Sequence, residues 1–394
     1  MRIACIAAAL LGLASAAWGQ DQQLGARTKA MGGSYTAFED DPVSIWLNPA
    51  GIATQPDQLS ISYQTYTAYK KGRERGPGDT TEFTVEPEAT MAQPAYWPSY
   101  LGLVFQLGDA EAPLAMGVCF ARPYLLQYSM DLVTDPAQTA FVPQSEVEQS
   151  LGRFRAAIAK DFLFRPRGEA GLFTHLSAGA GLDLGYAEWK FKSPTEDEED
   201  TLIAPGFGAG LLLGVYDNFE SFKVNLGLAY QSAAKYPFGI ETDILPAFDM
   251  PQQFNAGMTF YLLQGTPLRL TADLQWIDWS ATAEDPIFDT FPGFEDAVNV
   301  SFGAEYRIKV AERVNLYPRA GYRRFDAPWA DPDDLPMTGS YRLVLDTGGA
   351  TFNIFTAGLG VGWTSADGKT RSIDLAVDAG GDAANAAVGF NYEF

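Results

Sequence analysis

Apolar and polar residues alternate with a period of two along much of this chain, most plainly over residues 298–310. Val298, Val300, Phe302, Ala304, Tyr306, Ile308 and Val310 share one parity, while Asn299, Ser301, Gly303, Glu305, Arg307 and Lys309 share the other. Successive side chains of a strand point to opposite faces, so the segment is a strand with one wholly apolar and one charged face. The pattern returns over 222–230, 254–262, 268–276, 355–363 and 373–377. At thirteen residues the 298–310 segment exceeds the roughly 5–6 usual in soluble sheets, and it suits a strand that crosses a membrane in about 9–11 residues.

Applied along the whole sequence, the pattern predicts fourteen strands, at 58–70, 98–108, 113–123, 150–163, 173–191, 203–217, 220–232, 252–264, 267–280, 297–310, 313–325, 351–365, 370–379 and 384–394. Links after odd-numbered strands are mostly long and those after even-numbered strands short, the asymmetry of an outer-membrane barrel with long outer loops and short periplasmic turns. Phe390, Tyr392 and Phe394 share one face of the last strand, like the closing strand of such barrels. The fold class expected is therefore all-β, a transmembrane antiparallel β-barrel of about fourteen strands. A barrel of that size encloses a lumen that needs a plug.

Composition sharpens this picture at a few points. Residues 1–19 combine Arg2, an apolar run and a small-residue ending, and read as a secretory signal peptide, with residues 20–57 as an N-terminal hatch and 58–394 as the barrel. Beyond the signal no apolar stretch approaches the ~18 residues of a spanning helix. Cys5 leaves with the signal, so Cys119 remains alone and forms no internal disulfide. A formal charge of −22 disfavours nucleic acid as a partner. The 13% aromatic content, 39 Gly and 24 Pro suit strands, turns and aromatic girdles.

Residues 20–57 show little alternation. They carry Gly25-Ala26-Arg27, the run 30–37 (A-M-G-G-S-Y-T-A), Asp40-Asp41-Pro42 and the run 46–51 (W-L-N-P-A-G). This set resembles the N-terminal hatch of the FadL/TodX family of outer-membrane transporters of fatty acids and hydrocarbons, and related PorV-like barrels carry it too. Weaker matches lie at 250–257, 270–280 and 318–322. The resemblance implies a monomeric barrel in the outer membrane, in contact with its lipid and lipopolysaccharide, with a hatch in its lumen and passive uptake of a hydrophobic small molecule such as a long-chain fatty acid. A PorV-like accessory barrel of a secretion system is the alternative it leaves. Asn48, Pro49 and Ala50 form the hatch motif, in which Pro fixes φ and the Asn side chain bonds neighbouring backbone.

Candidate chemistry is sparse. The inward parity of the late strands collects cations, and Arg269, Arg307, Arg319 and Arg323 make a candidate lumen site for a carboxylate head group. The competing reading pairs such cations with inward acids, including Asp273, Glu305 and Asp374, or with Glu39, Asp40 and Asp41 of the hatch. Tyr236, Phe238, Ile240, Ile244, Leu245 and Phe248 make one outer loop unusually apolar, a candidate ligand-contact surface. The preceding outer loop, 195–200, is short and acidic, a poor second wall for a groove. His175, the only histidine, shares a parity with Ser177 and Asp183, yet no nucleophile elbow, zinc spacing or phosphate loop accompanies it. The sequence thus points to a non-enzyme that uses no cofactor and no metal.

Overall fold

The computed structural model describes residues 24–66, 82–87, 90–91, 98–108, 113–133, 145–166, 169–192, 197–218, 221–236, 248–262, 268–282, 295–326, 351–380 and 383–394. The signal-peptide expectation falls outside them. Fourteen strands form the wall of a closed antiparallel barrel. They are β1 (Gln58–Tyr66), β2 (Tyr100–Gln106), β3 (Leu114–Val133), β4 (Ser145–Leu163), β5 (Gly171–Lys192), β6 (Asp197–Asn218) and β7 (Phe222–Gln231). The second half comprises β8 (Gln253–Leu262), β9 (Leu268–Ile277), β10 (Ala297–Tyr306, continued by Ile308–Ala311), β11 (Val314–Asp326), β12 (Thr351–Thr364), β13 (Thr370–Gly380) and β14 (Ala383–Glu393). Closure is made by β1 against β14, from Gln58 opposite Glu393 to Gln64 opposite Ala387.

The barrel is inside out relative to a soluble protein. Leu182, on the apolar parity of β5, is 75% exposed, whereas Glu305, on the charged parity of β10, is 2% exposed. Only lipid explains so many large apolar side chains on the outer surface. Among the described residues no helix is long and apolar enough to cross a membrane, so the crossing is made by strands. Aromatic rings mark two levels on the outside. Phe207, Tyr230, Phe254 and Trp276 contact one another in sequence, with centroids 5.5, 4.6 and 5.7 Å apart. Nearer the short turns, Tyr216, Phe222 and Phe260 do the same at 6.1 and 6.0 Å.

The strand pattern departs from the sequence expectation in one region. β3 to β6 run 19 to 22 residues; β5 agrees with its expected span of 173–191 to within two residues, whereas β3, β4 and β6 pass well beyond their expected outer ends, and Asp197–Asp200 of the expected acidic loop pair with β5. In β4 and β6 the added residues, S-E-V-E-Q and D-E-E-D-T, are mainly polar at both parities, and Lys190 bridges Glu188 at 2.7 Å and Glu199 across the ladder at 3.5 Å. Alternation in hydrophobicity stops where lipid stops, but backbone pairing does not. The wall between β1 and β3 is also split. β2 fills its lower part, whereas short strands Glu82–Pro87 and Thr90–Met91 pair with the upper parts of β3 and β1. β3 bulges between Ala121 and Tyr124, at Pro123, which has no N–H to give the ladder.

Within the lumen, residues 24–57 carry helix α1 (Ala26–Ala30), helix α2 (Ser44–Leu47) and a 3-10 turn, Pro49–Ile52. On one side this hatch packs through Ile45, Trp46, Ile52 and Ala53 in an apolar cluster with Val104, Ala115, Cys119, Ala121 and Ala157 of β2, β3 and β4. On the opposite side its contacts are mainly polar, with a small apolar cluster of Ala26 and Ala30 against Ala376 and Ala387 of β13 and β14.

Candidate functional site

Asn48 is the joint of the hatch. Its Oδ1 accepts from the Ala50 amide at 3.1 Å and starts the 3-10 turn, where Pro49 costs no hydrogen bond. Its Nδ2 donates to the Thr36 carbonyl at 2.7 Å and to Leu211 of β6 at 3.1 Å, tying two parts of the hatch to the wall. Thr36 is fixed again from β9, where Asp273 Oδ2 accepts from the Tyr35 and Thr36 amides at 2.7 and 2.8 Å and from the Thr36 hydroxyl at 2.7 Å. Gly32, at φ +68°, lies so close to the carbonyls of Phe302 and Tyr322 that a Cβ would meet both at 2.8 Å.

The cations named from sequence separate. Arg269 and Arg319 belong to one buried network with the hatch. Arg27 bonds Glu305 at 2.9 Å and Asp40 at 3.2 and 3.3 Å, Arg269 bonds Asp40 and lies 3.3 Å from Glu305, and Arg319 bridges Glu305 at 2.7 Å to Asp374 at 2.5 Å. Arg323 faces inward higher on β11, with its guanidinium 5.5 Å from the Phe325 ring. Arg307 is exposed at the break between the two parts of β10 and stands apart from the network. Of the apolar loop, Tyr236 is fully buried and pairs with Phe248 in a short two-stranded ribbon, while Phe238, Ile240, Ile244 and Leu245 lie outside the described residues.

Two further anchors escaped sequence reasoning. Arg155 binds Asp183 through two hydrogen bonds at 2.5 and 2.7 Å, donates to the Trp46 carbonyl at 2.7 Å and stacks on the Trp46 ring at 4.9 Å. Lys29 pairs with Asp378 at 2.6 Å, both fully buried. The signal for the first was present, because Arg153 and Arg155 alternate with Phe154 and Ala156 and so face the lumen.

Beneath the hatch, at the short-turn end, lies a cavity of about 610 Å³ lined by Glu39, Asp40, His175, Lys223, Arg269 and neighbouring polar groups. His175 Nε2 is 3.7 Å from Glu39, and Ser177 donates to Asp161 at 2.8 Å, so the two are engaged elsewhere rather than with each other. Burial would raise the Glu39 carboxyl, but Lys223 and His175 outweigh it and hold it below the usual range; Arg269 and Arg27 do the same for Asp40. Asp41, with Arg27 no nearer than 3.9 Å, is pushed up to about 6 by burial.

A closed wall, an apolar outer belt and a polar, plugged lumen define an outer-membrane β-barrel with an internal hatch. No family model matches the chain, and no curated protein matches it in sequence. In fold it is similar to a Pseudomonas aeruginosa FadL homologue, at 15% identity and a TM-score of 0.59 over 94% of this chain and 98% of that one. It is similar also to the toluene transporter TbuX of Ralstonia pickettii (14%, 0.56, 95% and 99%) and to the toluene transporter TodX of Pseudomonas putida (11%, 0.54, 93% and 97%). The chain therefore has the hatch-bearing barrel fold of FadL homologues and toluene transporters.

Proposed function

We propose that this protein is a monomeric channel for passive entry of hydrophobic small molecules, long-chain fatty acids among them, across the outer membrane. The observation that carries the reading is a complete fourteen-stranded wall closed around an N-terminal hatch, an architecture shared with solved hydrophobic-compound channels. Ligand reaches the barrel from lipid or lipopolysaccharide at the outer surface, with the apolar segment that follows Tyr236 as its first contact, and the inward cations Arg269 and Arg323 attract any acidic head group, whereas Arg307 is exposed at the break in β10 and Arg319 is sealed between Glu305 and Asp374. Passage requires the hatch to shift about Asn48, Pro49 and Ala50, a population change that needs no energy source. No observation favours a secretion-accessory role.

The test is uptake of labelled long-chain fatty acid and of toluene into vesicles containing the barrel. Asn48→Ala removes three hydrogen bonds, each worth about 0.5–1.5 kcal/mol net, and should raise the rate of saturable uptake severalfold by populating the open hatch. Absence of saturable binding of any hydrophobe would overturn the proposal.

A further inference from the structure

The hairpin of β10 and β11 runs past its neighbour at the short-turn end. Tyr306 stands opposite Leu268, the first residue of β9, and among the described residues Ile308–Ala311 pairs with β11 alone. Ile308 and Val310 keep the lipid-facing parity of β10, and Arg307 and Lys309 keep the other. The ladder breaks at Arg307 and shifts register between Lys309 and Ala311, and all four residues of Ile308–Ala311 are exposed, Val310 at 63%. Apolar side chains thus continue one and two strand steps beyond Tyr306, into the layer between hydrocarbon and water, where bare apolar surface needs a cover.

Charge says what that cover is. Arg307, Lys309 and Arg313 gather at this tip, all exposed, and among the described residues none of them forms an ion pair. The Thr364 amide donates to the Arg313 carbonyl at 2.9 Å and sets the β12–β13 turn alongside, which adds Lys369 and Arg371. The acids close by are engaged already, Asp367 by the Ser365 hydroxyl and Glu393 by the Thr370 amide at 2.8 Å. In a chain of formal charge −22 this rim is basic, whereas the short turns at 107–113 and 217–221 carry acids and no cation. Trp363, opposite Arg371, and Tyr392, whose ring lies 4.6 Å from the Arg371 guanidinium, continue the patch on its lipid side.

We propose that this rim binds an anionic glycerophospholipid of the periplasmic leaflet, its phosphate among Arg307, Lys309 and Arg313 and its acyl chains along Ile308, Val310 and Trp363. Guanidinium and ammonium groups at a membrane surface attract a phosphodiester, and arginine meets it with paired hydrogen bonds. A soluble anion would answer the cations and leave Ile308 and Val310 bare. A zwitterionic lipid would cover the apolar pair and bring its own cation to a rim that already has an excess. The anionic phospholipid alone supplies both halves. The site lies on the outside of the wall and does not depend on what the channel carries.

The experiment releases the full-length barrel from vesicles of equal phosphatidylglycerol and phosphatidylcholine and weighs the intact protein with the lipid it retains. Phosphatidylglycerol should be preferred about tenfold, and Arg307→Gln with Lys309→Gln and Arg313→Gln should bring the preference to within about twofold of parity. Lys160→Gln removes an exposed cation from the lipid-facing parity of β4 and should leave the preference unchanged. A preference that survives the triple change, or that Lys160→Gln lowers equally, would overturn the proposal, the second by showing diffuse attraction in place of a site. Displacement of the lipid by free glycerol phosphate would overturn it too, since the apolar half would then contribute nothing. If the triple variant fails to fold, Lys309→Gln alone carries the comparison, with an expected loss of about threefold.

Discussion

Asp41 differs from the two carboxylates beside it in lacking a close cation. Its oxygens accept from the Val43 amide at 3.0 Å and the Tyr35 hydroxyl at 3.1 Å, which orders the turn before α2 without neutralising the charge. Its pKa of about 6, against an ordinary 3.8, means that the docked hatch binds more protons than the undocked one between those values. Docking is then weakened as pH rises from about 4 to 6, by roughly 2–3 kcal/mol at neutral pH. Asn carries no charge to desolvate. Asp41→Asn should therefore protect the hatch amides from hydrogen exchange more than the original residue does at pH 7, and the two should converge below pH 4. Equal protection across that range would show that Asp41 is not desolvated. Glu39 and Asp40, shifted the other way, lose their contribution only as pH falls below the ordinary carboxylate range.

At the scale of strands and turns, much was legible because one physical rule governs the wall: a strand between lipid and lumen must alternate. Every wall strand expected from alternation has a counterpart, and β1 begins at Gln58 as expected. The extensions of β4 and β6 were not legible, since there neither face is apolar, and that of β3, Y-L-L-Q-Y-S-M-D-L-V, was not legible because it is apolar without alternating. The hatch was visible only through motif resemblance, for its short helices are held by contacts distant in sequence, such as Asp273 to Thr36 and Lys29 to Asp378, which no local pattern encodes. One pattern, inward glycine, had a meaning that only the structure supplies. At Gly303 a Cβ would lie 2.6 Å from the Met31 carbonyl, so the wall is thinned where hatch backbone lies against it. Gly303→Ala should displace the hatch at a cost of about 1–3 kcal/mol while the barrel remains intact. The check is unaltered strand content by circular dichroism together with raised channel conductance; a tightly closed channel would refute the close-packing account.

For the molecule as a whole, the two aromatic levels give its depth in the membrane. Phe222 and Tyr230 sit at the lower and upper levels of β7, and Leu226, outward-facing and 41% exposed, lies midway between them. Leu226→Lys should cost about 2–4 kcal/mol of stability in a bilayer, where a surface lysine on a soluble protein costs almost nothing. Equilibrium folding into vesicles measures this, and a negligible cost would displace the lipid belt. The closure of β1 on β14 carries a different consequence. Joining Gln58 to Glu393 spans nearly the whole wall in sequence, so this seam forms last and slowly, after the sheet has curled with two unpaired edges. The segment just ahead of β1 is joined to one edge of this seam, so seating it before closure spares it from threading into the finished barrel through its end. The hatch is thus a mandrel as much as a gate: its apolar attachment to β2, β3 and β4 gives the growing sheet something to bend around. A chain that seats residues 24–57 late would close into a sound barrel that is plugged only slowly, by threading the hatch in through its end.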